Sequence, residues 1–124
     1  MSKIKITIID DEIEFLNDLE KGLDILGYEV SKAASGSHAI EVINREKPDI
    51  VLCDYKLPDI DGTEIIARTK EGNPNTIYIM VTAYYDESYD EIFKKAGASD
   101  VVYKPIQFPE VDELIKKVLL EKEK

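Results

Sequence analysis

Ile50-Val51-Leu52-Cys53 is an unbroken apolar run closed by Asp54. A strand with one face in water alternates apolar and polar residues, whereas a strand that is apolar on both faces lies inside a sheet covered on both sides. Four other short runs, at 4–9, 28–33, 77–81 and 101–103, are rich in β-branched residues and also read as strands.

The segments between these runs carry helical spacing. Leu16, Leu19, Leu23 and Leu26 form one stripe before Gly27 stops the first helix. The segments 37–46, 63–71 and 87–95 are shorter and more polar, and each is bounded by turn residues such as Gly36, Pro48, Gly72-Asn73-Pro74 and Gly97. Val111, Leu114, Ile115, Val118 and Leu119 mark one face of the last helix, which runs into a charged tail. Strand and helix thus alternate five times, which requires parallel strands joined by right-handed crossovers. The expected architecture is a doubly wound α/β domain with a five-stranded parallel sheet, and 124 residues without a linker or repeat predict one domain over 1–124.

Composition narrows the function classes. Sixteen basic residues against 26 acidic ones give a net charge of −10, which disfavours a nucleic-acid or anionic-membrane surface because phosphates are repelled. Cys53 is the only cysteine, so neither an internal disulfide nor a cysteine metal cluster can form. No apolar run is long enough to cross a bilayer, and the amino end enters alternating sequence without a signal-peptide core. The expected location is the cytoplasm.

In a parallel doubly wound sheet all the strands' carboxyl ends gather at one edge, and ligands bind where the strand order reverses. The residues that fall there are Asp10-Asp11 after the first run, Asp54 after the third, Thr82 after the fourth and Lys104-Pro105 after the fifth. Three converging carboxylates raise one another's pKa unless a cation sits among them. Oxygen ligands alone point to a hard ion such as Mg²⁺, which is held by one or two carboxylates and meets phosphate oxygens. Lys104 supplies a mobile cation for phosphate, Thr82 a hydroxyl, and an aspartate can itself act as a nucleophile and form an acyl phosphate.

Five stretches in register, Ile8-Ile9-Asp10-Asp11-Glu12, the run from Val51 to Gly62, Val81-Thr82-Ala83, Ala96-Gly97-Ala98 and Tyr103-Lys104-Pro105, resemble the response-regulator receiver family. The resemblance covers essentially the whole chain. It implies a flavodoxin-like (βα)5 fold with strand order 2-1-3-4-5. It also implies that Asp54 is the phosphoacceptor, that Asp10, Asp11, Asp54 and the backbone carbonyl of Lys56 hold Mg²⁺, and that Thr82 and Lys104 are the switch hydroxyl and the phosphate-binding lysine. A cis Lys104-Pro105 peptide is expected on the same ground. So are the partners: a sensor histidine kinase or histidine phosphotransfer protein upstream and a target protein or output domain downstream, the latter meeting the α4-β5-α5 surface. The only chemistry implied is self-phosphorylation and slow autodephosphorylation, not turnover of outside substrates.

The chain departs from the family in one place. Receivers carry an aromatic residue three positions before the lysine, and here that residue is Val101. Tyr103 is aromatic, and alternation along the strand places it on the same face as Val101. Lys56 and Tyr84 are similar to the residues at those positions in stand-alone phosphorelay receivers. A stand-alone receiver and a domain of a longer protein both fit the sequence.

Other residues have plain readings. Alone, Asp10-Asp11-Glu12 is a helix cap with first-turn charge; joined to Asp54 and Lys104 it is a site. Cys53 reads as a buried apolar residue and His38 as a solvent-exposed one. Tyr84, Tyr85 and Tyr89 read either as ordinary partial burial or as an exposed patch for a partner. Rival functions are a phosphatase, which needs a second acid where Lys56 stands, a flavodoxin-like ligand-binding module, and a receiver that signals without phosphate. No glycine-rich phosphate cradle supports the ligand-binding module.

Overall fold

The computed structural model describes residues 3–83 and 86–122. Five strands, β1 (Lys5–Ile9), β2 (Glu29–Ala33), β3 (Ile50–Asp54), β4 (Ile77–Thr82) and β5 (Ala98–Tyr103), alternate with five helices, α1 (Ile13–Ile25), α2 (Gly36–Glu46), α3 (Gly62–Thr69), α4 (Glu87–Ala96) and α5 (Phe108–Lys122). All four strand pairings are parallel. The sheet order is β2-β1-β3-β4-β5, the expected flavodoxin-like order.

Side-chain alternation in the central strands builds two cores. Val51, Cys53, Tyr78 and Met80 point into a layer with Ala39, Val42 and Ile43 of α2, Ile65 and Ile66 of α3, and Phe93 of α4. Ile50, Leu52, Ile79 and Val81 point the other way, onto Leu16, Leu19 and Leu23 of α1 and Val111, Ile115 and Val118 of α5. Every residue of β3 is buried, which is why that segment carries no polar alternation. Each fully buried Ile, Leu or Val contributes roughly 1.5–3 kcal/mol of transfer free energy, so the apolar pattern itself selects the two-sided covering.

Three elements differ from the sequence reading. Leu26 leaves the leucine stripe: α1 ends at Ile25, Leu26 is its C-cap, and its side chain is 47% exposed. The turn at Gly27, φ 95°, redirects the chain into β2 before Leu26 can face the core. β5 begins at Ala98 rather than 101, because an edge strand paired on one side tolerates Ser99 and Asp100 in its ladder. α3 stops at Thr69, whose hydroxyl donates to the Ile65 carbonyl.

The order reverses between β1 and β3: from β1 the chain moves one way to β2, then crosses back to β3 and continues to β5. Ile9 pairs with Cys53, so the residues that follow them, Asp10 and Asp54, leave the sheet side by side at the switch point. This register puts two acids from distant parts of the chain into one crevice.

Candidate functional site

Asp10, Asp11 and Asp54 each offer a carboxylate oxygen within 4.8 Å of the others. Asp10 and Asp54 are buried and Asp11 is exposed, which gives a cluster with one open side. One oxygen of Asp10 accepts the Glu12 N–H at 2.9 Å and the other accepts from the Lys104 ammonium at 2.7 Å. Asp10 thus braces the turn that leads into α1 and holds Lys104 at the same time, without itself capping the helix. Glu12, the N-cap of α1, makes no side-chain cap; its carboxylate turns to Lys104 at 3.3 Å instead.

Lys104 also reaches Asp54, at 3.4 Å, and lies 4.9 Å over the Phe15 ring. Its side chain is only 14% exposed. Burial would pull the ammonium down, but Asp10, Asp54 and Glu12 together hold it above its ordinary value. The carboxyl of Asp54 is pushed up to about 6, first by burial and then by the charge of Asp10, against the opposing pull of Lys104. One ammonium shared among three acids does not neutralise them, and this deficit of positive charge is the condition a divalent cation would relieve.

The rest of the expected site is placed around this core. Asp54 pairs in register with Val81, so Thr82 follows one step further on the neighbouring strand and is fully buried. The Lys104-Pro105 peptide is cis, as expected. Lys56 follows Asp54 by two residues in the β3–α3 loop, with its ammonium 5.6 Å from the Tyr55 ring centroid. A cationic side chain cannot ligate a metal, so what Lys56 has to offer one is its main-chain carbonyl. Gly62 seals the floor: a Cβ there would stand 2.8 Å from the Asp54 carbonyl oxygen, so only glycine admits this close approach of α3 to β3.

Plain readings fall out in the same way. Cys53 is buried, its thiol pushed up chiefly by burial and then by Asp54 and Asp10, so it is inert packing beside the site. His38 is exposed in the first turn of α2. Tyr89 is half-buried against Tyr55 and Phe93, which favours the partial-burial reading for that residue; Tyr84 and Tyr85 lie outside the described residues. Val101 packs against the α2-α3-α4 core, and the Tyr103 hydroxyl donates to Asp90 of α4, so both face α4 as alternation along the strand requires.

Local spacing does not single out Glu12 or Phe15 as neighbours of Lys104. Glu12 was visible only as part of the acidic run. Phe15 and Lys104 are 89 positions apart, and no local pattern announces a contact at that range.

The model of the response regulator receiver domain matches residues 6–117. The chain belongs to this family. The receiver is similar to Sporulation initiation phosphotransferase F of Bacillus subtilis (strain 168), with 34% identity over 96% of each chain. It is also similar to the Probable transcriptional regulator ycf27 of Porphyridium aerugineum, with 36% identity over 96% of this chain but 49% of that protein. Among solved structures it is similar to a response regulator receiver domain protein (CheY-like) from Methanospirillum hungatei JF-1, with 34% identity, coverage of 98% of both chains and a TM-score of 0.93. The receiver thus spans nearly all of some relatives and about half or less of several transcriptional regulators. No helix among the described residues is long and apolar enough to cross a membrane.

Proposed function

We propose that this receiver takes a phosphoryl group onto Asp54 from a phosphohistidine of a sensor kinase or histidine phosphotransfer protein. An oxygen of Asp54 attacks phosphorus in line, the P–N bond breaks, and the imidazole leaves with the bonding electrons. The observation that carries this reading is a buried carboxylate at the switch point, flanked by two more acids and reached by a lysine. Such a set suits a nucleophile for a dianionic group, because Lys104 can pass from Asp10 and Glu12 to an equatorial phosphoryl oxygen without crossing the crevice.

Asp10, Asp11, Asp54 and the Lys56 carbonyl would hold Mg²⁺, which when bound supplies the positive charge that lets anionic phosphate approach three acids. Thr82 donates its hydroxyl to the phosphoryl oxygen and biases β4 and α4 toward the signalling state. A groove of about 400 Å³ lined by Glu12, Phe15, Ala83, Lys104, Pro105 and Ile106 opens beside the lysine and suits the donor's approach. The similarity to a sporulation phosphotransferase favours a relay partner upstream, and the similarity to transcriptional regulators favours an output domain or target protein downstream. The α4-β5-α5 surface is the one we assign to that downstream partner, and the cytoplasm is the location in keeping with a lone buried cysteine.

Incubation with Mg²⁺ and a small-molecule phosphodonor tests the reading by mass spectrometry. A gain of one phosphoryl group that needs Mg²⁺ and disappears in Asp54→Ala is expected. Labelling that persists in Asp54→Ala would sink the assignment.

A further inference from the structure

We infer that Asp59 is a positioning residue for phosphoryl transfer: it clamps the loop after Asp54 onto the start of α2 and thereby sets the Lys56 carbonyl at the cation site. The inference rests on the reading of Asp54 and Lys56 given above and adds a residue outside the acid cluster.

The loop between β3 and α3 is tied at its ends by local contacts. The Gly62 N–H donates to the Tyr55 carbonyl at 2.8 Å, and the Tyr55 ring stands edge-on to Phe93 of α4 with centroids 4.9 Å apart. The middle of the loop is fastened differently. The two carboxylate oxygens of Asp59 accept the Gly36 and Ser37 N–H groups at 2.8 Å each, across more than twenty positions of sequence. Ile60 lies so close to Gly36 that a Cβ there would come within 2.3 Å of its side chain. These amide bonds, Gly36 first, hold the Asp59 carboxyl well below the usual range, so the clamp is ionised at every working pH.

The clamp is not there to make α2 a helix. Ser35 already caps α2 locally, its hydroxyl accepting the His38 N–H at 3.3 Å. Asp59 instead occupies the two amides that precede His38, those of buried Gly36 and exposed Ser37, which have no partner within the helix. What changes when those amides bind Asp59 is the loop, because only Leu57 and Pro58 separate Asp59 from Lys56 and a shift at one is carried to the other. Partners behind a metal ligand typically alter metal affinity by roughly 10- to 100-fold when removed.

The test is a Mg²⁺ titration of the full chain, followed by amide chemical shifts, on wild type, Asp59→Ala, Asp59→Asn and Ser35→Ala. Asp59→Ala is expected to weaken Mg²⁺ binding roughly tenfold, while labelling at saturating Mg²⁺ returns to the wild-type level. Asp59→Asn keeps one acceptor oxygen and falls between, and it carries the test if the alanine variant does not fold. Ser35→Ala removes the local cap alone, so it lowers thermal stability but leaves Mg²⁺ affinity unchanged. Unaltered affinity in both Asp59 variants, or an equal loss in Ser35→Ala, overturns the inference while leaving the Asp54 assignment standing. A wild-type chain that neither binds Mg²⁺ nor takes the label overturns that assignment itself.

Discussion

The backbone N–H of Lys104 donates to the Thr82 carbonyl at 2.8 Å, continuing the β4–β5 ladder one step past its last register pair. The main chain beneath Lys104 is thus held by the sheet, and substitution of the side chain removes the ammonium without releasing the strand.

Lys104→Ala should therefore expose the electrostatics of the crevice. Breaking a buried ion pair costs about 3 kcal/mol because the partners keep their charge. Urea unfolding at pH 7 without divalent ions should show a loss of that order, and the loss should shrink near pH 4.5, where Asp54 is protonated and needs less counter-charge. A loss that does not change with pH would mean that packing of the lysine stem, not its charge, is what matters.

Asp54→Asn should have the opposite sign. The folded pKa of Asp54, about 6, lies above its ordinary value of 3.8, so the folded state binds more protons between those limits and stability falls as pH rises through the window. Above pH 6 the ionised carboxylate carries a destabilisation of up to about 3 kcal/mol, since each pKa step is equivalent to 1.36 kcal/mol. Without metal, the variant should melt higher than wild type at pH 7 and alike near pH 4. Mg²⁺ should raise the wild-type melting temperature by binding the folded state alone, and raise the variant's less.

Gly22→Ala should destabilise, although alanine is the better helix former by about 1 kcal/mol. Gly22 lies within α1 where the Phe108 ring of α5 crosses it, and a Cβ would stand 2.5 Å from that ring. Overpacking costs about 1–3 kcal/mol, so a net loss of about 1 kcal/mol by chemical denaturation is expected. A stabilised variant would show that the ring moves aside freely.

Tyr103→Phe should loosen α4. The Tyr103 hydroxyl donates to Asp90, tying the end of β5 to α4, and Tyr103 is the register partner of Thr82. Removal of the hydroxyl should cost about 1 kcal/mol and speed hydrogen exchange of the α4 amides. Unchanged exchange in α4 would show that other contacts hold the helix.

Much of this was legible in sequence for a definite reason. Strand and helix periodicities are local, and each of the five apolar runs carries its own burial pattern, so element order and the two-sided covering of β3 could be read directly. Strand-end acids, Thr82 and Lys104 could be listed because the carboxyl ends of parallel strands share an edge whatever the strand order. Leu26 was misjudged because helix periodicity does not announce where a turn redirects the chain.

What only the tertiary structure decided is how these groups are shared. That Lys104 sits nearer Asp10 than Asp54, that Glu12 gives up its capping role to reach it, and that Asp59 spends its carboxylate on α2 are contacts across the fold. They arise from strand register and loop geometry, through which residues far apart in the chain compete for one cation or one pair of amides. Sequence alone determined which chemistry is present at the sheet edge; three-dimensional distance decided which group holds which, because electrostatic and hydrogen-bond energies depend on ångströms that no spacing along the chain encodes.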